Sequence, residues 1–268
     1  MSEKRKPLAV VTGASSGLGM CFARQLAAEG YDLLLVARRG FVLESLKEEL
    51  ERLYPIAVET FEADLSEKEP LRELEKKIES SENLLYLINN AGFGTGESSF
   101  PNVDVEQETR MLALHNLAPM RLCRAALIPM AVNNMGYIIN VASAAAFLAS
   151  RGAADYSATK AFLVSFSRGL QCDCIDKGVH VQALCPGFVR TGFHQSETMK
   201  NSGTGEKVPH WLWLEAPWVA QKSLRQARKK YLRRVAYVPS LRYKIIVAFL
   251  ASRWLSPLRV LLSCGRAR

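Results

Sequence analysis

The stretch Leu8–Gly19, LAVVTGASSGLG, decides how this chain is read. Leu8-Ala9-Val10-Val11 is an apolar run long enough for one buried strand. A loop with Gly13, Gly17 and Gly19 follows, and Met20–Gly30 (MCFARQLAAEG) then has helical spacing. A strand that turns through glycines into a helix gathers bare backbone N–H groups and the positive end of a helix dipole at one spot. Both favour an anion such as phosphate. Without Cβ atoms, the glycines permit a tight turn and let a pyrophosphate approach the backbone. The spacing is G-x-x-x-G-x-G, not the general dinucleotide fingerprint G-x-G-x-x-G. Taken alone, the loop also fits a tight strand-to-helix turn with no ligand, so the rest of the chain has to decide.

Moving outward, Tyr31–Ala37 (YDLLLVA) reads as a second buried strand, with Arg38 and Arg39 at its end. An acidic residue about twenty positions past the glycine loop would bind the adenosine ribose of NAD. None stands here. Two arginines can instead pair with a 2′-phosphate, which selects NADP; the plainer alternative is a solvated strand end. Leu43–Leu53 and Leu71–Ile78 are amphipathic helices, and Ile56–Glu62 and Leu84–Ile88 are the third and fourth strands. Asp64, past the third strand, is placed either to reach an adenine amine or to cap a turn. Val105–Leu117 and Pro119–Met130 are helical. Pro119 either sits within one long helix or begins a new one. Gly136–Val141 and Val179–Leu184 are the fifth and sixth strands, separated by a helical segment reaching about Asp176. Ala216–Tyr231 is a further helix, and Ala236–Pro239 is a candidate last strand. This alternation predicts an α/β fold: a Rossmann-like, doubly wound parallel sheet of about seven strands, with ligands at the strand ends. No linker divides it. The expected layout is one domain over residues 1–240 and a C-terminal extension over 241–268.

Composition agrees. The chain has 268 residues, 49% of them hydrophobic, which supplies a sizeable core. The six cysteines form no C-x-x-C pair and the four histidines no H-x-x-x-H pair, so no metal site is expected. Scattered thiols fit a reducing, cytoplasmic compartment. No run of about eighteen apolar residues occurs, which argues against an ordinary spanning helix. The net charge of +9 is concentrated late, notably in Arg225–Arg234 (RQARKKYLRR). A basic balance suits nucleic acid, anionic lipid or merely a solvated face. Nothing here resembles a base-reading element, so no nucleic acid partner is expected.

Tyr156 and Lys160 are four residues apart and share one helix face. Tyrosine is a poor acid at neutral pH, and a nearby ammonium favours its phenolate. A serine at a neighbouring strand end, Ser143, can hold a carbonyl oxygen while the phenol protonates it. Any single Y-x-x-x-K is usually an exposed helix face; its weight comes from the company it keeps.

That company resembles the short-chain dehydrogenase/reductase family. The matching pieces are TGASSGLG at Thr12–Gly19, NNAG at Asn89–Gly92, Asn116, Ser143, YSATK at Tyr156–Lys160, and Pro186-Gly187 with Thr191. They appear in the family's order across about Leu8–Thr191. The resemblance implies that Tyr156 is the general acid/base, that Lys160 lowers its pKa and holds the nicotinamide ribose, that Ser143 orients the substrate oxygen, and that Asn116 sustains a water-linked proton path. It implies cofactor contacts from Gly13, Ser15, Ser16, Gly17, Leu18 and Gly19 at the phosphates, and from Arg38, Arg39, Asp64, Asn90, Ala91 and Gly92 on the adenosine side. Pro186, Gly187, Val189 and Thr191 would flank the nicotinamide. His115 reads as packing or a local hydrogen bond, not as the acid.

The expected function is therefore an NADP(H)-dependent oxidoreductase interconverting a ketone or aldehyde and an alcohol. The alternative is an NADP-binding regulatory or scaffold protein with little turnover. The segment 191–215, with Gly203, Gly205, Trp211 and Trp213, reads as a substrate lid whose aromatics either cover a hydrophobic substrate or simply pack. Leu241–Cys264 is apolar but interrupted by Arg253, Pro257 and Arg259. It docks on the body or another subunit, lies in a membrane interface, or is disordered. The resemblance further implies a homo-oligomer paired through the long helices beside the active site.

Overall fold

The computed structural model describes residues 6–95, 100–148, 152–192, 208–229 and 235–250. Seven parallel strands form one sheet: β1 (Leu8–Thr12), β2 (Asp32–Ala37), β3 (Val58–Glu62), β4 (Leu84–Asn89), β5 (Gly136–Val141), β6 (Val179–Leu184) and β9 (Ala236–Tyr237), in the order β3-β2-β1-β4-β5-β6-β9. Strands β1, β2 and β4 are buried almost end to end because helices cover both sheet faces. One face carries α1 (Gly17–Ala28), α2 (Gly40–Leu53) and α7 (Ala216–Ala227), around Phe22, Leu26, Leu35, Leu50 and Val219. The other carries α3 (Lys68–Glu79), α5 (Ala118–Val132) and part of α6 (Ala154–Cys174), around Leu74, Ile78, Leu87, Leu122 and Ile138.

Helix α1 begins at Gly17, three residues earlier than its apolar spacing predicts, because the second half of the glycine loop is already its first turn. Helix α7 stops at Ala227, short of the expected Tyr231. A second, two-stranded sheet pairs β7 (Val189–Arg190) with β8 (Leu214–Glu215); strands this short leave no periodic signal.

Helix α4 (Val105–Leu112) runs through a π turn, Ala113–Leu117, directly into α5. The Ala118 N–H reaches back five residues to the Ala113 carbonyl. Pro119 therefore lies within one continuous rod, immediately after a widened turn. Helix α8 (Leu241–Leu250) packs Tyr243, Ile246 and Val247 against the body, so the first ten residues of the C-terminal stretch dock on the protein. The rest of that stretch, residues 251–268, lies outside the described residues, as do residues 193–207 of the expected lid with His194, Gly203 and Gly205.

Candidate active site

The strand order reverses between β1 and β4, and the chain leaves these two paired strands toward opposite faces of the sheet, which opens a crevice at their carboxyl ends. The glycine loop lines it. Gly13 and Gly17 have φ of +67° and +54°, a region side chains resist. A Cβ on Gly13 would stand 2.7 Å from Asn90 Nδ2 and 2.9 Å from Ala91 Cα; one on Gly17 would stand 2.9 Å from Thr191 Cβ. The loop is thus closed on the β4 exit at one end and on Thr191 at the other. Ser16 caps the N-terminus of α1 with its side chain exposed and making no capping bond, which leaves the first-turn N–H groups facing the crevice. Leu18 is buried beneath them.

Thr12, absent from the expected set, ties this region together. Its Oγ1 accepts from the N–H groups of Asn90 (2.9 Å) and Ala91 (3.0 Å) and donates to the Ile88 carbonyl (3.3 Å). The Asn90 amide donates to the carbonyls of Thr12 (3.0 Å) and Gly13 (3.3 Å). Asn90 and Ala91 therefore brace the glycine loop from the β4 side. At the β2 end, Arg39 donates to Ser15 Oγ (2.9 and 3.2 Å) and to the Ser15 carbonyl (3.1 Å). Arg38, mostly exposed, lies 3.6 Å from Asp64, which also pairs with Arg110 at 3.1 Å. Burial opposes ionisation of Asp64, but hydrogen bonds from Ser66 and the two guanidiniums outweigh it and hold the carboxyl below its usual range. Arg38, Arg39 and Arg110 outnumber the carboxylates of Asp64 and of Glu62, which lies beside Gly40, and leave this corner positive.

The catalytic candidates converge at the ends of β4, β5 and β6. Ser143, just past β5, accepts from the Ala145 N–H (3.1 Å) and is hydrogen-bonded to the Tyr156 hydroxyl. Lys160, one helical turn further along α6, is buried; its Nζ donates to the Val141 carbonyl (3.0 Å) and lies 5.7 Å from the centre of the Tyr156 ring. Burial pushes Lys160 down to about 8. Burial also raises the Tyr156 phenol, and the Ser143 bond pulls it back. The Ser143 hydrogen bond thus counteracts the rise. The sequence expectation has Lys160 as the cation beside Tyr156; its ammonium stands next to the phenol ring, anchored on the β5 carbonyl.

Asn116 falls in the π turn, and its amide donates to the Thr159 carbonyl (3.0 Å), linking the α4–α5 rod to α6. His115 beside it is buried. Its Nε2 accepts from the Phe93 N–H (3.1 Å), which places the ring proton on Nδ1, 3.1 Å from Thr159 Oγ1. Thr159 in turn donates to the Tyr156 carbonyl (2.8 Å). Burial, then the Lys160 charge, hold His115 well below its usual pKa, so it is neutral. Gly92 leaves room for the ring: a Cβ there would stand 2.6 Å from Nε2. The reading of His115 as a local hydrogen-bonding residue agrees with this geometry. Thr159 escaped notice because it lies inside the YSATK run without being one of its two titratable members.

Pro186 and Gly187 lie between β6 and β7, Val189 opens β7 and Thr191 follows it. The Ala144 N–H donates to the Pro186 carbonyl (2.8 Å), which joins this loop to the Ser143 turn. A Cβ on Gly187 would fall inside the ring of Tyr243 from α8. The Tyr243 hydroxyl accepts from the Phe188 N–H (3.0 Å) and donates to the Leu212 carbonyl (2.9 Å). In the end of the lid that is described, Trp213 packs on Phe188 with ring centres 5.6 Å apart, while Trp211 is more than half exposed. Among the described residues, no cluster of His, Cys, Asp or Glu is arranged to hold a metal.

Comparisons with known proteins point the same way. A family model described as short chain dehydrogenase matches residues 7–202. Very-long-chain 3-oxoacyl-CoA reductase-A of Danio rerio is 31% identical over 195 residues, covering 71% of this chain but only 60% of that relative's length. Among solved structures, a short-chain dehydrogenase from Sphingobium yanoikuyae in complex with NADPH aligns with a TM-score of 0.79 at 30% identity, over 98% of this chain and 96% of the other. The bulky-bulky ketone specific alcohol dehydrogenase from Comamonas testosteroni aligns with a TM-score of 0.77 at 28% identity, over 99% and 96%.

Proposed function

Because the chain belongs to the short-chain dehydrogenase family, we propose that it is an NADP(H)-dependent carbonyl reductase, reversible to an alcohol dehydrogenase, with Tyr156 as general acid/base. The observation that carries this reading is the convergence of Ser143, Tyr156 and Lys160 beside a glycine cradle at the sheet's switch point. The residues present fit a phosphorylated dinucleotide. The exposed N-terminus of α1 suits its pyrophosphate, and Arg38 and Arg39 make a positive corner suited to a 2′-phosphate. The NADPH held by the Sphingobium relative supports the same choice. When bound, the reduced nicotinamide supplies the hydride.

The chain's own residues do the rest. Ser143 Oγ and the Tyr156 hydroxyl are paired with each other; once a carbonyl oxygen takes the place of that bond, each turns its single proton to the oxygen and together they fix its position. Tyr156 then gives its proton to that oxygen as negative charge develops there. Lys160, held by the Val141 carbonyl, keeps a cation beneath the phenol ring and favours the phenolate that remains. Asn116 anchors α6 through Thr159, next to Lys160.

The substrate we infer is a hydrophobic ketone or aldehyde. Phe188, next to the Pro186-Gly187 loop, packs on Trp213 and makes that part of the chain aromatic, and the Comamonas relative's described preference for bulky ketones is in keeping. We also infer a homo-oligomer paired through the helices beside the site, since Leu112, Leu117, Met120, Ile128 and Phe162 are all exposed there. Residence in a reducing, cytoplasmic compartment is inferred from the five free cysteines of the described residues.

The test is NADPH oxidation across a panel of hydrophobic ketones. Turnover should appear and should fall about 100-fold or more in Tyr156→Phe with NADPH binding retained. Full activity in that variant overturns the mechanism. Tight NADPH binding with no turnover across the panel favours a regulatory role.

A further inference from the structure

We propose that the outer face of α8, together with Trp211, docks on the surface of an anionic lipid bilayer and so turns the mouth of the cleft toward the membrane. The docking stands on its own observations; its use in delivering substrate rests on the hydrophobic-carbonyl reading above.

Helix α8 has two different sides. Tyr243, Ile246 and Val247 pack on the body. Leu241, Ile245 and Phe249 are 71%, 62% and 57% exposed, and their four-residue spacing places them in one stripe along the helix. Trp211, 57% exposed, is joined to this helix because Arg242 donates to its carbonyl. A stripe of large apolar side chains with an adjacent tryptophan suits the headgroup–acyl boundary of a bilayer, where interfacial helices lie. No described helix is long and apolar enough to cross a membrane, so the contact is one of surface lying rather than spanning.

Charge selects the occupant. Residues 1–215 contain 22 Lys/Arg and 26 Asp/Glu, whereas residues 216–268 contain 13 Lys/Arg and no acidic residue. Arg242 and Lys244 are exposed on α8 itself. Part of the earlier basic cluster is structural, since Arg228 is engaged by Glu29 and the Tyr86 hydroxyl. The charge that favours a bilayer is therefore that of Arg242 and Lys244, reinforced in the chain by Arg253, Arg259, Arg266 and Arg268. A second copy laid on this face in two-fold fashion would bring like charges together. Nucleic acid would find cations but gain nothing from the apolar stripe. An anionic bilayer satisfies both features at once.

Position gives the contact a use. Helix α8 lies against the Ala144–Phe147 turn after Ser143, and Tyr243 covers Gly187. A bilayer touching Ile245 and Phe249 therefore sits beside the entrance to the catalytic cluster, where an apolar ketone can enter without crossing water.

The experiment uses the full chain, sedimented with phosphatidylcholine vesicles with and without phosphatidylserine. Binding should require phosphatidylserine, weaken with salt, and fall at least about tenfold in Ile245→Asp/Phe249→Asp, while Val132→Asp, at a still more exposed apolar site on α5, binds normally. Circular dichroism and NADPH binding verify the fold of each variant. As a measurement needing no destabilising charge, brominated lipid should quench part of the tryptophan emission, and that part should vanish in Trp211→Phe. Absence of vesicle binding, or binding unchanged in the Ile245/Phe249 variant, overturns the proposal. So does salt-sensitive binding to DNA with no affinity for vesicles. Reduction of a water-soluble ketone is measured alongside: turnover without vesicle binding sinks the docking alone, and vesicle binding without turnover sinks the reductase reading alone.

Discussion

Lys160 Nζ donates to the Val141 carbonyl at 3.0 Å, so the cation next to Tyr156 is tethered to the end of β5. This bond makes the sheet, rather than the flexible lysine stem, set where the charge stands. It also means that a cation is kept in a buried place at the expense of stability.

That conflict has a measurable sign. Folded Lys160 releases its proton near 8, against 10.5 when unperturbed. Between those values the unfolded chain holds more protons, so stability rises with pH across that window; below it the burial cost is present in full. Lys160→Met should raise unfolding stability at pH 7 by about 1–3 kcal/mol and flatten the rise between pH 8 and 10, while turnover collapses. Urea denaturation at both pH values checks this; a variant less stable than the parent at pH 7 would contradict it.

His115 gives the opposite window. It is buried and neutral, with both ring nitrogens engaged, and its pKa is well below the ordinary 6.5. The unfolded chain takes up the proton first, so this site's contribution, fully present above about pH 6.5, is lost as pH falls below it. His115→Phe should cost about 1–3 kcal/mol at pH 7 by stranding the Phe93 N–H and taking from the Thr159 oxygen the donor it accepts from, and should reduce the loss between pH 7 and 5. Melting curves at the two pH values measure both effects.

Arg39 bridges the end of β2 to Ser15 in the glycine loop. Arg39→Ala should weaken NADPH binding about 10- to 100-fold and leave NADH binding within a few-fold, since a charge-assisted bond to the 2′-phosphate is removed in one case only. Titrating both cofactors by fluorescence decides it; equal losses for the two would place Arg39 in loop support alone.

Gly187→Ala puts a methyl where the Tyr243 ring lies. Helix α8 should lift from the body, exposing 241–250 to hydrogen exchange and costing about 1–3 kcal/mol. Tyr243→Phe, which keeps the ring but loses its bonds to Phe188 and Leu212, should cost about 1–2 kcal/mol. Unchanged exchange in Gly187→Ala would show that the helix is not held there.

The parallel sheet was readable because its strands are apolar runs such as Leu33–Val36, and such runs are needed where helices cover both faces. The juxtaposition of Tyr156 and Lys160 was readable because they share a helix and their spacing is local. The features that escaped are long-range. Tyr243 meets Gly187 across more than fifty residues, and no local pattern marks either as a partner. Thr12 looks like the last residue of a strand, yet its hydroxyl organises the NNAG segment more than seventy residues away. The Lys160 side chain could be placed on the correct face from spacing, but its acceptor depends on where β5 ends.

The π turn at Ala113–Leu117 carries one more residue than an α turn would. An α-helix advances about 100° per residue, so the extra residue shifts the sequence spacing of α5 against that of α4 by about that angle, while the widened turn absorbs it and both helices keep their packing faces. Deleting one residue there would heal the rod into plain α-helix with Met111 and Leu122 still in the core. What the deletion would remove is the widened turn itself, and with it the placement of His115 and Asn116 against Thr159. The surplus residue thus serves the site and not the packing: it is the step out of regularity by which a continuous helix presents two neighbouring side chains to α6.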